Sequence, residues 1–309
     1  MLGILTRRDL LGMAAVGLPA ALGLPALGSL SAWAGAGSPT LSSPTEGSFV
    51  QALRMTRNAN GASERVIVSD SFPTHAPELV REMVTVAHFD LARVKELVGA
   101  RPALARAAWD WGFGDWETPL GAASHMGNRR IAEYLLEQGA PPSLFSATML
   151  GQLEVVKALV AGQPGAQRLC GPHSISLLAH ARMGGEGARA VLDFLQSLGD
   201  ADAAAPVALS DTETAALVGS YVFGVGVSQQ VDVTADLKMY ANNKMYTHAP
   251  QLHWTRKGTM TRPLFHLGNR TFYPAGAPFV RVAFAESAGG MVMSVNDGEL
   301  VVSATRKQA

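Results

Sequence analysis

Residues 118–140 are the segment that most limits what this chain can become. Thr118-Pro119 opens a helix with proline at the first helical position, where its missing N–H costs nothing. Gly127-Asn128 marks a tight turn, and Ile131, Tyr134, Leu135 and Leu136 then give a second helix one apolar face before Gly139-Ala140 closes the unit. Two such short helices bury too little surface to stand alone and must stack on copies of themselves. Copies are present. Residues 89–98 align with 127–136 and, more closely, with 151–160, so three second helices share one pattern. A fourth, weaker unit carries Leu178, Ala181 and Gly185 where the second carries Leu120, Ala123 and Gly127, followed by Val191, Phe194 and Leu195.

The Thr-Pro-Leu-Gly-Ala-Ala-Ser-His-Met-Gly run and its repetition resemble the ankyrin repeat family. The resemblance implies a right-handed stack of helix pairs over residues 77–202 and a role in protein recognition without catalysis. The turn glycines Gly127 and Gly151 are 24 positions apart, whereas the ankyrin period is about 33. The hairpin finger is therefore expected to be missing between the second and third units.

Thr6-Arg7-Arg8-Asp9-Leu10-Leu11, a Gly/Ala/Leu-rich run and Ala32-Trp33-Ala34 before Gly35 resemble a twin-arginine signal peptide over residues 1–36. The alternative is an uncleaved membrane anchor, against which Pro19 and Pro25 argue. The twin-arginine route exports folded proteins, so the resemblance implies a periplasmic or extracytoplasmic destination. That suits a chain whose single cysteine, Cys170, permits no internal disulfide. Residues 37–76 read as a linker and an N-terminal extension, with Pro, Ser and Thr concentrated in 38–48.

Lysine plus arginine equals aspartate plus glutamate at 25 each, so no basic field attracts phosphate backbones, and nucleic acid is not an expected partner. Membrane contact is expected only through an uncleaved signal segment.

After Ala201 the pattern changes. Ser210 with Glu213 forms a capping box for one short helix. Short alternating runs then follow as far as Arg306, among them 220–223, 228–234, 238–241, 244–248, 251–255, 263–267, 270–273, 279–285, 290–295 and 299–306. Asn242-Asn243, Gly268-Asn269 and Asn296-Asp297-Gly298 are turn signals between them. So many short strands favour a small closed antiparallel barrel or sandwich. Leu217-Val218-Gly219-Ser220-Tyr221, Arg270-Thr271-Phe272-Tyr273 and 279–284 resemble the lipocalin-like β domain appended to β-lactamase-like hydrolases, over residues 209–309. The expected fold class is thus α + β in separate domains, an α-solenoid followed by a small antiparallel β barrel.

The catalytic part of those hydrolases needs Ser-x-x-Lys, which this sequence lacks; a Gly-x-Ser-x-Gly elbow, a Walker loop, a dinucleotide fingerprint and His-Glu-x-x-His are also absent. No catalytic residue, cofactor or metal is expected. The candidate partner-binding site is the loop 109–117, with Trp109, Asp110, Trp111, Phe113, Asp115, Trp116 and Glu117, together with His125. Its tryptophans read either as interface anchors or as packing that seals the first repeat onto the second. His125 lies near Asp110, Asp115 and Glu117, a ligand-type grouping, but a single histidine at this place in a repeat more commonly hydrogen-bonds the loop backbone. His88, His173 and His180 have no ligand-type spacing to a neighbour. In the β domain, Tyr240, Tyr246, His248, His253, Trp254, His266 and Tyr273 are the candidate pocket lining, against the reading that so small a barrel is filled by its own side chains. A small-molecule or cell-envelope ligand held there is the alternative function, and a hydrolase with an unrecognised site is a third.

Overall fold

The computed structural model describes residues 72–202, 205–224, 229–235, 246, 248 and 251–308. The signal-like segment, the linker and the expected strands at 238–241 and, apart from Tyr246 and His248, 244–248 lie outside the described residues. No helix among the described residues is long and apolar enough to cross a membrane.

Four helix pairs come first: α1 (Pro77–Val86) with α2 (Leu91–Ala100), α3 (Pro119–His125) with α4 (Arg129–Glu137), α5 (Leu144–Met149) with α6 (Leu153–Gly162), and α7 (Leu177–Met183) with α8 (Arg189–Ser197). Three of the four pairs start on a side-chain cap. The Thr118 hydroxyl accepts a hydrogen bond from Gly121 N at 3.0 Å with Pro119 behind it, Ser143 and Ser146 cap α5 reciprocally, and Ser176 accepts from Ala179 N at 3.2 Å. Such caps satisfy the orphan N–H groups of a first turn and contribute about 1 kcal/mol each.

First helices pack on first helices, α1 on α3, α3 on α5 and α5 on α7, which makes a layered array. Met83, Val84, Val94, Leu120, Ile131 and Leu135 form one buried cluster, and Val156, Leu177, Val191 and Leu195 form a second. The turn glycines hold the layers close. A side chain on Gly127 would strike the Met183 carbonyl and one on Gly151 the Gly187 carbonyl, and both sit at positive φ, 71° and 77°. Only glycine meets both demands at low cost. Between α4 and α5 the chain crosses in residues 138–143 with no strand, whereas between the first two pairs it forms a hairpin of β1 (Trp109–Asp110) and β2 (Trp116–Glu117).

The helix α9 (Asp211–Leu217), boxed by Ser210 and Glu213, leads into an antiparallel closed barrel. Its strands are β3 (Gly219–Val222), β4 (Gln230–Ala235), β5 (Leu252–Arg256), β6 (Arg262–Gly268), β7 (Thr271–Pro274), β8 (Arg281–Ser287), β9 (Gly290–Asp297) and β10 (Leu300–Arg306). Each pairs with its neighbours in sequence, and β10 closes on β3 through Thr305–Val222 and Arg306–Tyr221. Alternation sends Val231 and Val233, Val282 and Phe284, and Met291, Met293 and Val295 inward, where they meet Tyr221 and Phe272 in one core. Leu300 pairs with Asp297, so the hairpin loop is Gly298-Glu299, one residue later than the Asp-Gly signal suggests. Among the described residues these side chains form one buried core. Among the expected pocket residues, Trp254, His253 and His266 are buried, and Phe265 stacks on Tyr273 at 5.1 Å.

Candidate functional site

The hairpin sorts its own side chains. Period-two alternation points Trp116 outward, 62% exposed, and Glu117 inward, fully buried. Trp109 and Trp111 are half-buried, meet edge to face at 6.5 Å and pack on the first helical cluster. The Asp110 carboxylate accepts from Gly112 N at 2.7 Å and shapes the turn. At the tip, the Phe113 ring meets Trp254 of β5 at 5.7 Å, so the hairpin reaches the barrel.

Asp115 joins the two folds. One of its oxygens accepts from the backbone N of His173 at 2.9 Å; the other accepts from His173 Nδ1 at 2.8 Å and from Arg262 Nη1 of β6 at 3.0 Å. Arg262 also donates to the Gly112 and Ala275 carbonyls. Burial raises the Asp115 pKa, but the hydrogen bonds and charge of His173 and the charge of Arg262 outweigh it, and the net shift is downward. Ser174 Oγ accepts from Gly276 N at 2.8 Å, and Tyr246 Oη donates to the His173 carbonyl at 2.8 Å, so the 172–174 turn is tied to the β domain at two points.

Glu117 lies deeper, ringed by nitrogen. Its Oε2 accepts from Trp111 Nε1 at 2.7 Å and faces His173 Nε2 at 3.4 Å and His88 Nε2 at 3.6 Å, while its Oε1 faces His125 Nδ1 at 3.2 Å. The last pair does not meet hydrogen-bond geometry, and both atoms are buried without a hydrogen-bond partner. Each of two neighbouring rings is oriented from behind. His88 Nδ1 bonds the Val84 carbonyl at 3.0 Å, and His173 Nδ1 bonds Asp115. Donation there leaves the Nε2 lone pair of each ring turned towards Glu117 when the ring is neutral. Among the described residues, His88, Glu117, His125 and His173 thus form a group whose ligand atoms lie within 4.8 Å of one another.

The electrostatics differ sharply from ring to ring. Burial pushes His173 down, but its bonds to Asp115 and Glu117 and their charges outweigh burial and raise it to about 9. For His125 burial dominates, the neighbouring histidines add to it, and its pKa falls well below the usual value. Burial also takes His180, whose Nδ1 bonds the Ser176 carbonyl at 2.9 Å, down to about 4 against the opposing pull of that bond and of Glu117. The His180 ring lies 6.4 Å from that of His125, behind the group.

Of the residues singled out in the sequence, Asp115, Glu117 and His125 come together in the interior, and Trp109, Asp110, Trp111 and Phe113 form the frame of the hairpin. Trp116 alone among the eight is strongly exposed. Two expectations change. His125 faces Glu117 instead of the loop backbone, and His88 and His173, read as lacking a ligand-type neighbour, stand on either side of the same carboxylate. The available signal was that His88, His125 and His180 each lie on or just beyond the first helix of a repeat, on elements that stack in space.

A family model described as ankyrin repeat matches residues 115–146, which run from Asp115 through α3 and α4 into α5. Ankyrin repeats commonly mediate protein binding, and this chain carries that module beside its barrel. A search of curated proteins and a search of solved structures find no match.

Proposed function

We propose that the chain is an exported, non-catalytic interaction scaffold that holds a protein partner on the concave face of its helical repeats, with Trp116 as the anchor. The observation that carries this reading is the contrast within one hairpin. Trp116 is 62% exposed, while the residues on either side of it, Asp115 and Glu117, are 3% and 0% exposed and fastened by several bonds. A large apolar side chain held out on a rigid frame loses little further entropy when it binds, and tryptophan is enriched among interface hot spots. Beside it opens a cavity of about 340 Å³ lined by Phe145, Pro172, Ser174, Gly276 and Pro278, wide enough for a partner side chain. Asp115, Glu117 and His125 support the hairpin in this reading and do not touch the partner.

Export follows from Arg7-Arg8 and the apolar run behind them. The lesser reading, a ligand inside the barrel, has less in its favour. The space at the Phe113–Trp254 end is about 190 Å³, below the roughly 300–1,000 Å³ of ordinary ligand sites, and the larger space of about 840 Å³, where β3, β9 and β10 meet, is lined by Gly219, Gly290 and Arg306 and by none of the expected pocket aromatics or histidines. A photo-crosslinking amino acid placed at Trp116, beside the same label at the half-buried Trp109, tests the scaffold in cells. The expected result is a discrete protein adduct from position 116 that Arg7→Lys/Arg8→Lys abolishes together with export. Equal labelling from both positions, or from neither, overturns the reading.

A further inference from the structure

We infer that His88, Glu117, His125 and His173 are the ligands of a divalent transition-metal site of the zinc class, which fastens the hairpin to α3, to the residues just after α1 and to the 172–174 turn. A tetrahedral ion with ligand bonds of about 2.0–2.1 Å sets its ligand atoms about 3.3–3.4 Å apart. Glu117 oxygens stand 3.2, 3.4 and 3.6 Å from the facing nitrogens of His125, His173 and His88. The His173 and His88 separations exceed the usual N–H···O range, all three lie close to that edge, and the four ligand atoms, within 4.8 Å of one another, need only a small contraction to share an ion.

A second observation is independent of the spacing. Glu117 Oε1 and His125 Nδ1 are buried 3.2 Å apart, and neither has a hydrogen-bond partner. Leaving such groups unpaired in an interior is expensive, and a shared cation satisfies both at once.

The surroundings complete the pattern. Metal-bound histidines are held by a carbonyl or a carboxylate on the ring nitrogen that does not bind the ion. His88 has the Val84 carbonyl in that place, and His173 has Asp115, itself fixed by Arg262. Three imidazoles and one carboxylate suit zinc and cobalt better than the oxygen-preferring magnesium or calcium. With all four positions supplied by protein, the site is of the closed, structural kind and leaves none open for a reacting molecule. His88 is the most exposed of the four, its side chain at 20%, and offers the ion its way in.

The test uses the untagged full-length chain, stripped with a chelator and titrated with Co²⁺ alone. The parent is expected to bind one equivalent and to develop the intense visible bands of tetrahedral Co²⁺, which Zn²⁺ then bleaches. His88→Gln, at the least buried ligand, and Glu117→Gln, which preserves an acceptor for Trp111, are expected to keep the circular dichroism of the parent and lose the bands. Asp115→Asn, which keeps all four ligands but changes the group behind His173 and its pairing with Arg262, is expected to weaken binding on the order of 10–100-fold. A folded parent that gives only the pale spectrum of hydrated Co²⁺ overturns the assignment, as do bands that persist unchanged in both His88→Gln and Glu117→Gln.

Discussion

Asp115 and Arg262, which belong to the repeat hairpin and to the barrel, form a 3.0 Å ion pair with side chains only 2% and 5% exposed. A pair so well enclosed is weak evidence of net stability, because both charges are desolvated, but breaking it by removing one partner is costly. Arg262→Met leaves the Asp115 carboxylate facing His173 alone and strips a donor from the Gly112 and Ala275 carbonyls. The expected loss is about 3–5 kcal/mol, read as a fall in the urea midpoint. Tryptophan fluorescence and far-ultraviolet dichroism should then stop reporting one coincident transition, since the pair is a principal tie between the two folds. A loss below about 1 kcal/mol with coincident transitions contradicts this assignment of the tie.

Gly276 presses on the same carboxylate from the barrel side. It sits at φ 80°, and a Cβ there would collide with the carboxyl of Asp115. Gly139 has a similar φ of 85° with open space around it. Gly139→Ala should therefore carry only the backbone penalty, about 1 kcal/mol. Gly276→Ala carries that penalty and an overpacking cost of about 1–3 kcal/mol more. Parallel thermal melts of the two variants measure the difference, and equal losses would mean that Asp115 can move aside freely.

His180 gives the metal-free protein an acid sensitivity of definite sign. Its folded pKa is about 4, below the value near 6.5 of an unfolded histidine, so between those limits the unfolded chain binds the additional proton. The stability linked to His180 is complete above about pH 6.5, falls as the pH drops and levels off below about pH 4. The span amounts to about 3 kcal/mol at most. His125 titrates in the same direction and His173 in the opposite one over a higher range, so the useful quantity is the difference between parent and His180→Phe. Urea midpoints at pH 7 and pH 4.5 should converge in the variant relative to the parent. An unchanged pH slope rules His180 out as the source.

The legible parts of this chain were those in which neighbours in sequence decide the outcome. Proline after Thr118, the Gly127 and Gly151 turns, the Ser210–Glu213 box and the alternation of Met291, Met293 and Val295 are local signals, and the helices and strands follow them. The repeat-then-barrel architecture follows from counting such signals. Of the His/Glu group only the Glu117–His125 half was legible, because His88 and His173 come from distant stretches of the chain with no ligand-type spacing to either. His125 ends its helix, His88 lies beyond the end of its own and His173 sits in the 172–174 turn before α7. No repeat period aligns them. The fate of the loop 109–117 was hidden for a related reason. Asp115 and Phe113 are positioned by Arg262 and Trp254, partners on the far side of the chain that no local pattern connects to the loop.

Within that loop, two tryptophans separated by five positions should respond oppositely to substitution. Trp111 Nε1 donates to the buried Glu117 Oε2 at 2.7 Å, so Trp111→Phe keeps most of the ring but withdraws a donor from a carboxylate that water cannot reach. Hydrogen bonds to charged groups contribute about 1.5–3 kcal/mol, and the loss should fall in that range or above it. Trp116→Ala removes a side chain that is mostly in solvent and should change stability by about 0.5 kcal/mol or less. The two variants therefore separate frame from anchor, with Trp111→Phe melting early at unaltered surface chemistry and Trp116→Ala melting like the parent while losing its adduct partner. If Trp116→Ala is instead the more destabilising of the two, Trp116 is part of the frame, and the contact surface must be sought elsewhere on the repeats.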